Sequence, residues 1–181
     1  KEIIKYSSQI NFKTNLFNQF FNTEDKLIDS KYVTSNYFRS FPIFGITAKT
    51  PFKIKNFKND LIYTPQLELV LAPGMSNSNK ISNEDSSISS YNIENNSNLN
   101  RFSGTDKLDN SKRLNLSFNI KNDIFNGTAW TAYEFTNNSN YHYSQGNEKK
   151  LSDFLGVLNL TKDKYNAAYN LRFDPYENYM K

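Results

Sequence analysis

The sequence predicts an all-β, antiparallel chain of about eight strands, and three observations carry that expectation. Several stretches alternate polar and apolar residues with period two, the mark of strands whose two faces see different surroundings. The chain holds 28 Asn in 181 residues, a residue that favours turns and depletes helices. Aromatic residues reach 15 % while the whole hydrophobic class is only 37 %, which leaves too few aliphatic side chains for the core of a helical bundle.

In chain order, residues 4–12, 15–21, 31–38 and 41–52 carry a diluted alternation. Residues 61–72 are cleaner, with Tyr63, Leu67, Leu69 and Leu71 opposed to Thr64, Gln66 and Glu68, and Pro65 marks an early or weakly paired position. Residues 113–121 show no misplaced side chain. Leu114, Leu116, Phe118 and Ile120 face one way, and Arg113, Asn115, Ser117, Asn119 and Lys121 the other. Residues 128–136 and 152–161 are weaker strands, and 165–174 repeat the clean device with only Ala168 out of character.

Short polar links at 55–60, 122–126 and 162–164 interleave with long ones at 73–110 and 137–150. Transmembrane barrels alternate tight periplasmic turns with long outer loops in this way, and strands of about 9 to 11 residues are long enough to cross a bilayer. Strand parity then puts the three short links at one end of the sheet and both long loops at the other. Pattern alone is equally consistent with a secreted β-sandwich or solenoid, which shares the period.

Other classes fall away on composition. Mean hydropathy is −0.73 and the longest apolar run is Leu69 to Ala72, far short of the roughly 20 residues of a membrane helix. With no Cys and a single His142, disulfide scaffolds, thiolate zinc sites and Cys–His catalysis are excluded, and no cofactor or metal is expected. The net charge of +4 is spread along the chain, with no basic cluster interleaved with a stacking platform, so nucleic acid is a poor partner. The chain starts at Lys1 without a signal-peptide pattern, and residues 1–181 read as an interior piece of a longer protein.

The 73–110 link is too long for a hairpin connection, and loops of that size are usually functional or disordered. Two compact charged groups sit within it: NEDS, formed by Asn83, Glu84, Asp85 and Ser86, and RFSGTDK, which contributes Arg101, Phe102, Gly104, Asp106 and Lys107. These residues offer the acids, bases and glycine turn that would pin a loop to itself. Arg101 and Asp106 are expected to hold the loop through contacts within it or to NEDS, with Glu84, Asp85 and Asp106 facing Arg101 and Lys107, so that it folds over the lumen mouth as a lid.

In their order these residues resemble LptD, the outer-membrane LPS-assembly family, particularly its barrel as found in alphaproteobacteria. That family has a strand ending in Pro, an NEDS-like element, an Asn-Leu step, RFxGxDR and then a strand patterned for a lumen. Here the counterparts are Pro73, NEDS, Asn98 with Leu99, RFSGTDK and the strand from Arg113. SDFLG, from Ser152, is similar to the family's SDxVG element, LRFD, from Leu171, to its RFRxD strand end, and RSFPIFGITAKTPF, from Arg39, to its Pro-bounded strand. The likeness covers about residues 39–174. Lys107 departs from the usual Arg, which keeps the charge but loses the bidentate fork.

The resemblance implies a middle portion of an antiparallel up-and-down transmembrane β-barrel, incomplete by itself, with 73–110 as an extracellular loop. It implies a non-enzymatic translocon in the cell outer membrane that inserts lipopolysaccharide into the outer leaflet. Its partners would be lipopolysaccharide, an LptE-like outer-membrane lipoprotein plug, periplasmic LPS bridge proteins and outer-membrane lipids. The family's exit gate lies between first and last strands and is expected outside this segment. The alternative is a secreted carbohydrate-binding sandwich or solenoid, with exposed Tyr and Trp stacking on sugars.

Catalysis has few candidates. Glu84 with Asp85, and Asp106 beside Arg101, could supply the two carboxyl groups of a glycosidase, but adjacent residues usually point apart and no nucleophile, base and oxyanion donor occur together. His142 lies in a tip-like Asn and Ser stretch. Gln66, Glu68, Arg113, Asn115, Asn119, Lys121 and Arg172 are expected to line a polar lumen, with Lys5 beside them, where the basic members could meet anionic sugar phosphates. Phe125, Trp130, Tyr133, Tyr141, Tyr143, Tyr165, Tyr176 and Tyr179 lie near predicted strand ends, where barrels place aromatic girdles.

Overall fold

A computed structural model describes residues 2–55, 60–75, 77–87, 90–136, 149–177 and 179–180. Among these, ten strands and one short helix follow in the order β1 (Glu2–Lys5), β2 (Gln9–Ile28), β3 (Lys31–Lys49), β4 (Phe52–Lys55), β5 (Leu61–Leu71), α1 (Ile93–Asn96), β6 (Lys112–Lys121), β7 (Phe125–Glu134), β8 (Phe154–Lys162), β9 (Tyr165–Asp174) and β10 (Tyr179–Met180). All pairings are antiparallel and form one open sheet. Among the described residues no ladder joins the β1/β2 edge to β10. The chain is therefore an all-β, incomplete barrel.

The ten segments occupy eight ladder positions. β3 and β4 pair with successive stretches of the same edge of β5, and β1 pairs with β4 as β2 does with β3. Each couple is one strand interrupted, at Tyr6–Ser8 on one side and at Thr50–Pro51 on the other. A proline has no amide to give a ladder, so Pro51 breaks the strand, and its carbonyl accepts from Tyr6 N at 2.9 Å. Pro65 faces this junction, where Thr50 N reaches its carbonyl at 3.3 Å.

The N-terminal half departs from the expected four short strands. Residues expected as 15–21 and 31–38 belong to two long strands joined by a tight turn at Asp29 and Ser30, both in the left-handed region at φ 48° and 64°. Two such residues in succession suit the twist of a two-residue hairpin. The usual Asn-Gly signal is absent, and Asp fills the role because its short side chain tolerates that region. A bulge between Thr23 and Lys26, with Asp25 at φ 49°, further blurs the period.

The C-terminal half follows the sequence closely. β9 spans the expected residues, and β5 and β6 differ from expectation by one residue each. β7 starts at Phe125, three residues early, because the Asn122 carboxamide oxygen accepts from Ile124 N and Phe125 N at 2.9 and 2.8 Å and closes the link in a tight Asx-type turn. The turns at 122–124 and 163–164 lie at one end of the sheet, and the β5–β6 and β7–β8 connections at the other. Residues 56–59 of the first short link and 137–148 of the second long one, with Tyr141, His142 and Tyr143, lie outside the described residues.

Register aligns the alternation across strands. One face collects Phe12, Ile46, Leu67, Phe118, Leu158 and Tyr169, all at least 37 % exposed. Tyr63 stacks on Phe118 there, with ring centroids 6.2 Å apart and planes 5° apart. The opposite face carries Thr47, Glu68, Asn115 and Ala132 in one row and Arg113 opposite Glu134. Among the described residues the long loop packs on this polar face, and the apolar face is bare.

Candidate functional site

The site is the half of the polar face beneath the 73–110 loop. Two apolar patches seat the loop. Leu99 and Leu108 bury against Phe41, Ile43, Val70 and Ala72, and Tyr91 with Ile93 pack on Trp130, Ala132 and Leu155. Gly45 makes room for the first contact: a Cβ there would fall 2.6 Å from Leu99 Cδ2. α1 starts at Asn92, whose side chain caps Asn95 N at 2.8 Å, and this turn presents Ile93 to the sheet.

A buried ionic seam runs between the patches. Arg101 Nε donates to Asp109 Oδ2 at 2.5 Å, and its Nη2 to Asp109 Oδ1 and Glu134 Oε2, both at 3.2 Å. Arg113 Nη1 donates to Asp109 Oδ2 at 3.0 Å and to Ser111 Oγ, and its Nη2 to the Asn98 carbonyl at 2.5 Å. Arg113, Asp109 and Ser111 have no exposed surface. Two cations thus share two carboxylates in a site closed to water, where each charge needs its partner. Deeper in the sheet, the Glu68 carboxylate accepts from Thr47 Oγ1 at 3.1 Å and Asn115 Nδ2 at 2.9 Å, with Lys13 Nζ at 3.6 Å.

NEDS and RFSGTDK meet through backbone rather than charge pairs. The Asp85 carboxylate accepts from Thr105 N, Thr105 Oγ1, Asp106 N and Ser86 Oγ at 2.8–3.2 Å. In return, Asp106 Oδ2 accepts from Glu84 N at 2.7 Å and Asp85 N at 3.0 Å. Each turn caps the other. The donated amide hydrogens of Asp106 and Thr105 hold the Asp85 carboxyl well below the usual carboxylate range. Gly104 is required for this closeness, since a Cβ there would lie 2.6 Å from the Asp85 carbonyl carbon. Ser86 is buried and accepts from Lys107 N at 2.9 Å, and Phe102 is buried as well.

Arg39, on β3, joins this knot to the sheet. Its guanidinium donates to the Thr105 carbonyl at 2.5 Å, the Asp106 carbonyl at 2.8 Å and Gln19 Oε1 at 2.5 Å, and it lies 5.1 Å from the Phe21 ring centroid. Asn77 brackets the Leu108 peptide, donating to its carbonyl at 2.9 Å and accepting from its amide at 2.8 Å. Farther along the hairpin, Thr23 Oγ1 and Lys26 Nζ reach the Lys80 and Ile81 carbonyls at 2.8 and 2.7 Å.

Several expectations change. Arg101 pairs with Asp109, inside the loop as expected, and with Glu134 on β7, but not with Glu84, Asp85 or Asp106, because the Asp85 and Asp106 carboxylates are taken up by backbone amides. Glu84 and Lys107 enter through their amides, and Asn83 is exposed. Glu68, Arg113 and Asn115 lie on the inward face but under the loop, so they are buried partners and not wet lining. Gln66, Asn119 and Lys121 lie toward the uncovered turn end. Arg172 Nε pairs with Asp153 at 2.6 Å, its guanidinium 4.5 Å from the Tyr91 ring centroid.

Lys5 shares the outward face with Phe52, its register partner, since the Tyr6–Ser8 interruption shifts the phase. Trp130 is 2 % exposed in the middle of the inward face and is no girdle residue. Phe125, Tyr133 and Tyr165 do occupy outward strand ends. Sequence reasoning passed over Arg39, Asn77, Asp109 and Glu134. The only available signal was position: Asp109 follows RFSGTDK, Arg39 opens a motif, and Glu134 ends a polar half.

A family model described as LPS transport system D matches residues 3–181. The chain belongs to the LptD family. Members serve LPS transport at the outer membrane, and an antiparallel sheet with one apolar and one polar face is consistent with an outer-membrane β-barrel. No curated protein matches the chain. In this LptD-family chain, the covered half of the inward face is where loop and sheet are locked together.

Proposed function

We propose that residues 1–181 are an interior part of the barrel wall of an LptD translocon of the alphaproteobacterial type, inserting lipopolysaccharide into the outer leaflet, with 73–110 as an extracellular cover. One observation carries the reading: among the described residues the loop covers the polar face and leaves the apolar face bare. A soluble sandwich would cover the apolar face first, because its burial is the main favourable term in water. Lipid supplies the missing cover in a barrel wall, which also removes the reason to favour a secreted carbohydrate module.

The uncovered turn half of the inward face, with Asn170 exposed at its border with the loop, supplies a wet surface of Asn119, Lys121 and Asn166. Its amides and ammonium suit the sugars and phosphates of LPS, and the same opening suits an LptE-like plug and delivery by a periplasmic bridge. The lock of Arg101, Arg113, Asp109 and Glu134 keeps the loop end closed while cargo passes below.

A photoreactive residue placed in the parent protein at Asn119 or Asn170, and separately at outward Leu116 or Leu158, tests this in cells that make LPS. Adducts with LPS are expected at the inward positions. A parent protein that inserts in the outer membrane yet gives no inward adducts would sink the wall-and-conduit reading.

A further inference from the structure

The outward face is bulky along most of its rows, but one stretch is hollow. Gly127, Ala129 and Gly156 form the floor of an apolar groove of about 310 Å3 on the outer side of β7 and β8. Phe118 and Ile120 of β6 wall one side, Tyr169 and Leu171 of β9 the other. The hollow is a matter of missing side chains and not of backbone strain. A Cβ on Gly127 would meet Leu158 Cδ1 at 3.5 Å, and one on Gly156 would meet Leu171 Cβ at 3.3 Å, so side chains there would fill the groove.

Charge stands at its foot. Lys162 follows Leu158 and Leu160 on the outward parity of β8 and is the register partner of Tyr165. The Lys164 ammonium lies 5.6 Å from the ring centroid of Tyr165, which is 70 % exposed on that same face. Tyr165 is four residues from the groove-lining Tyr169, about 13 Å along the strand. The two cations are at the short-turn end, which is the periplasmic side of such barrels.

We propose that this groove, with Lys162 and Lys164 at its foot, holds one acyl chain of an anionic phospholipid of the periplasmic leaflet. The inference rests on the wall reading, which turns this face to lipid. The apolar trench takes the chain, and the ammonium groups take the phosphate at the depth where the chain meets its headgroup. Bulk lipid would wet a flat face without preference. A trench with cations at one end selects both an orientation and a headgroup charge.

The test uses the parent protein in vesicles of phosphatidylethanolamine doped with phosphatidylglycerol bearing a diazirine on one acyl chain, with cross-linked peptides mapped by mass spectrometry. Labelling is expected to concentrate on the β6–β9 groove peptides, several-fold over the β5 peptide carrying Leu67. Ala129→Phe should lower groove labelling about five-fold, and Gly127→Leu provides a second filling. Lys162→Glu with Lys164→Glu should abolish the preference for phosphatidylglycerol over a phosphatidylcholine probe. Even labelling across the outward face, or labelling unchanged by both fillings in protein that inserts normally, would overturn the site while leaving the wall intact. A wild-type parent that fails to insert would overturn both.

Discussion

The two halves of the inward face come from one sequence pattern and have opposite fates. At the loop end Arg113 is fully buried and Glu68 and Asn115 are 2 % and 3 % exposed, each bound to named partners. At the turn end Lys121, Asn126 and Asn166 occupy the same parity and are exposed, with no loop over them among the described residues. The alternation says only which way a side chain points. Whether it is solvated or must be paired depends on what lies over it, here a loop that brings its own acids.

That contrast sets the largest expected effect. Replacing Arg113 by Met leaves Asp109 buried with one of its two cations gone, a loss of about 3–5 kcal/mol for breaking a buried pair. The matching change of Lys121 to Met should stay within about 0.5 kcal/mol. Denaturant titration of the parent barrel in detergent measures both, and equal costs would erase the distinction between the halves. Arg101→Ala, which strips Asp109 and Glu134 of a shared donor, should loosen the loop and raise its protease sensitivity while the strands stay intact. Unchanged cleavage would count decisively against the lid.

Next in size is the contrast across the sheet. Leu116→Arg places a charge on the outward face and should cost about 2–4 kcal/mol near mid-bilayer, while the adjacent Ser117→Arg, on the inward side, should be near neutral. Folding equilibria into lipid vesicles distinguish them. If the two substitutions cost the same, the outward face does not meet lipid.

Within the loop, Gly104→Ala should cost about 1–3 kcal/mol, because the Cβ collides with Asp85 and the amides of Thr105 and Asp106 lose their acceptor. The effect should be local, seen as faster hydrogen exchange over residues 83–107 with β6 and β9 unaffected. Exchange unchanged in the loop would mean that the two turns do not need their close approach.

Strands β5, β6 and β9 were legible because both faces have a fixed environment, so every second residue obeys one rule. The β2–β3 hairpin was not, for a physical reason. Residues 31–43 extend past the last β5 pair, Phe44 with Leu71, and their inward neighbours belong to the loop, not to a lumen: carbonyls of Thr105 and Asp106 on Arg39, and Leu99 and Leu108 on Phe41 and Ile43. Polar and apolar side chains mix there, and the turn uses Asp29 and Ser30 in place of glycine. For the site, spacing exposed the two motifs and their mutual attraction, but pairing of opposite charges between them was the wrong inference, and Arg101 takes its acid from Asp109 farther along the loop. Asp85 and Asp106 bind amides, whose positions no sequence displays. Arg101 finds Glu134, which only the β6–β7 register brings opposite Arg113.

The smallest expected effect is on pH, and its sign follows from Asp85. Its folded pKa is depressed by the amides of Asp106 and Thr105, so the ionised form is favoured in the closed loop. A depressed pKa contributes stability that is complete above the unfolded value, about 3.9, and is lost as pH falls through that value toward the folded one. The knot should therefore hold unchanged from pH 8 to 5 and loosen only in stronger acid. The turn half of the inward face has no such knot and should show no matching transition. The chain contains no Cys, so one introduced at exposed Asn83 can carry a nitroxide whose mobility reports the loop directly. Mobility should stay flat down to about pH 4 and rise below it, and Asp85→Asn should leave the label mobile throughout, because the neutral amide is the weaker acceptor. A rise near pH 6 to 7 would place the controlling group elsewhere and remove Asp85 from the lock.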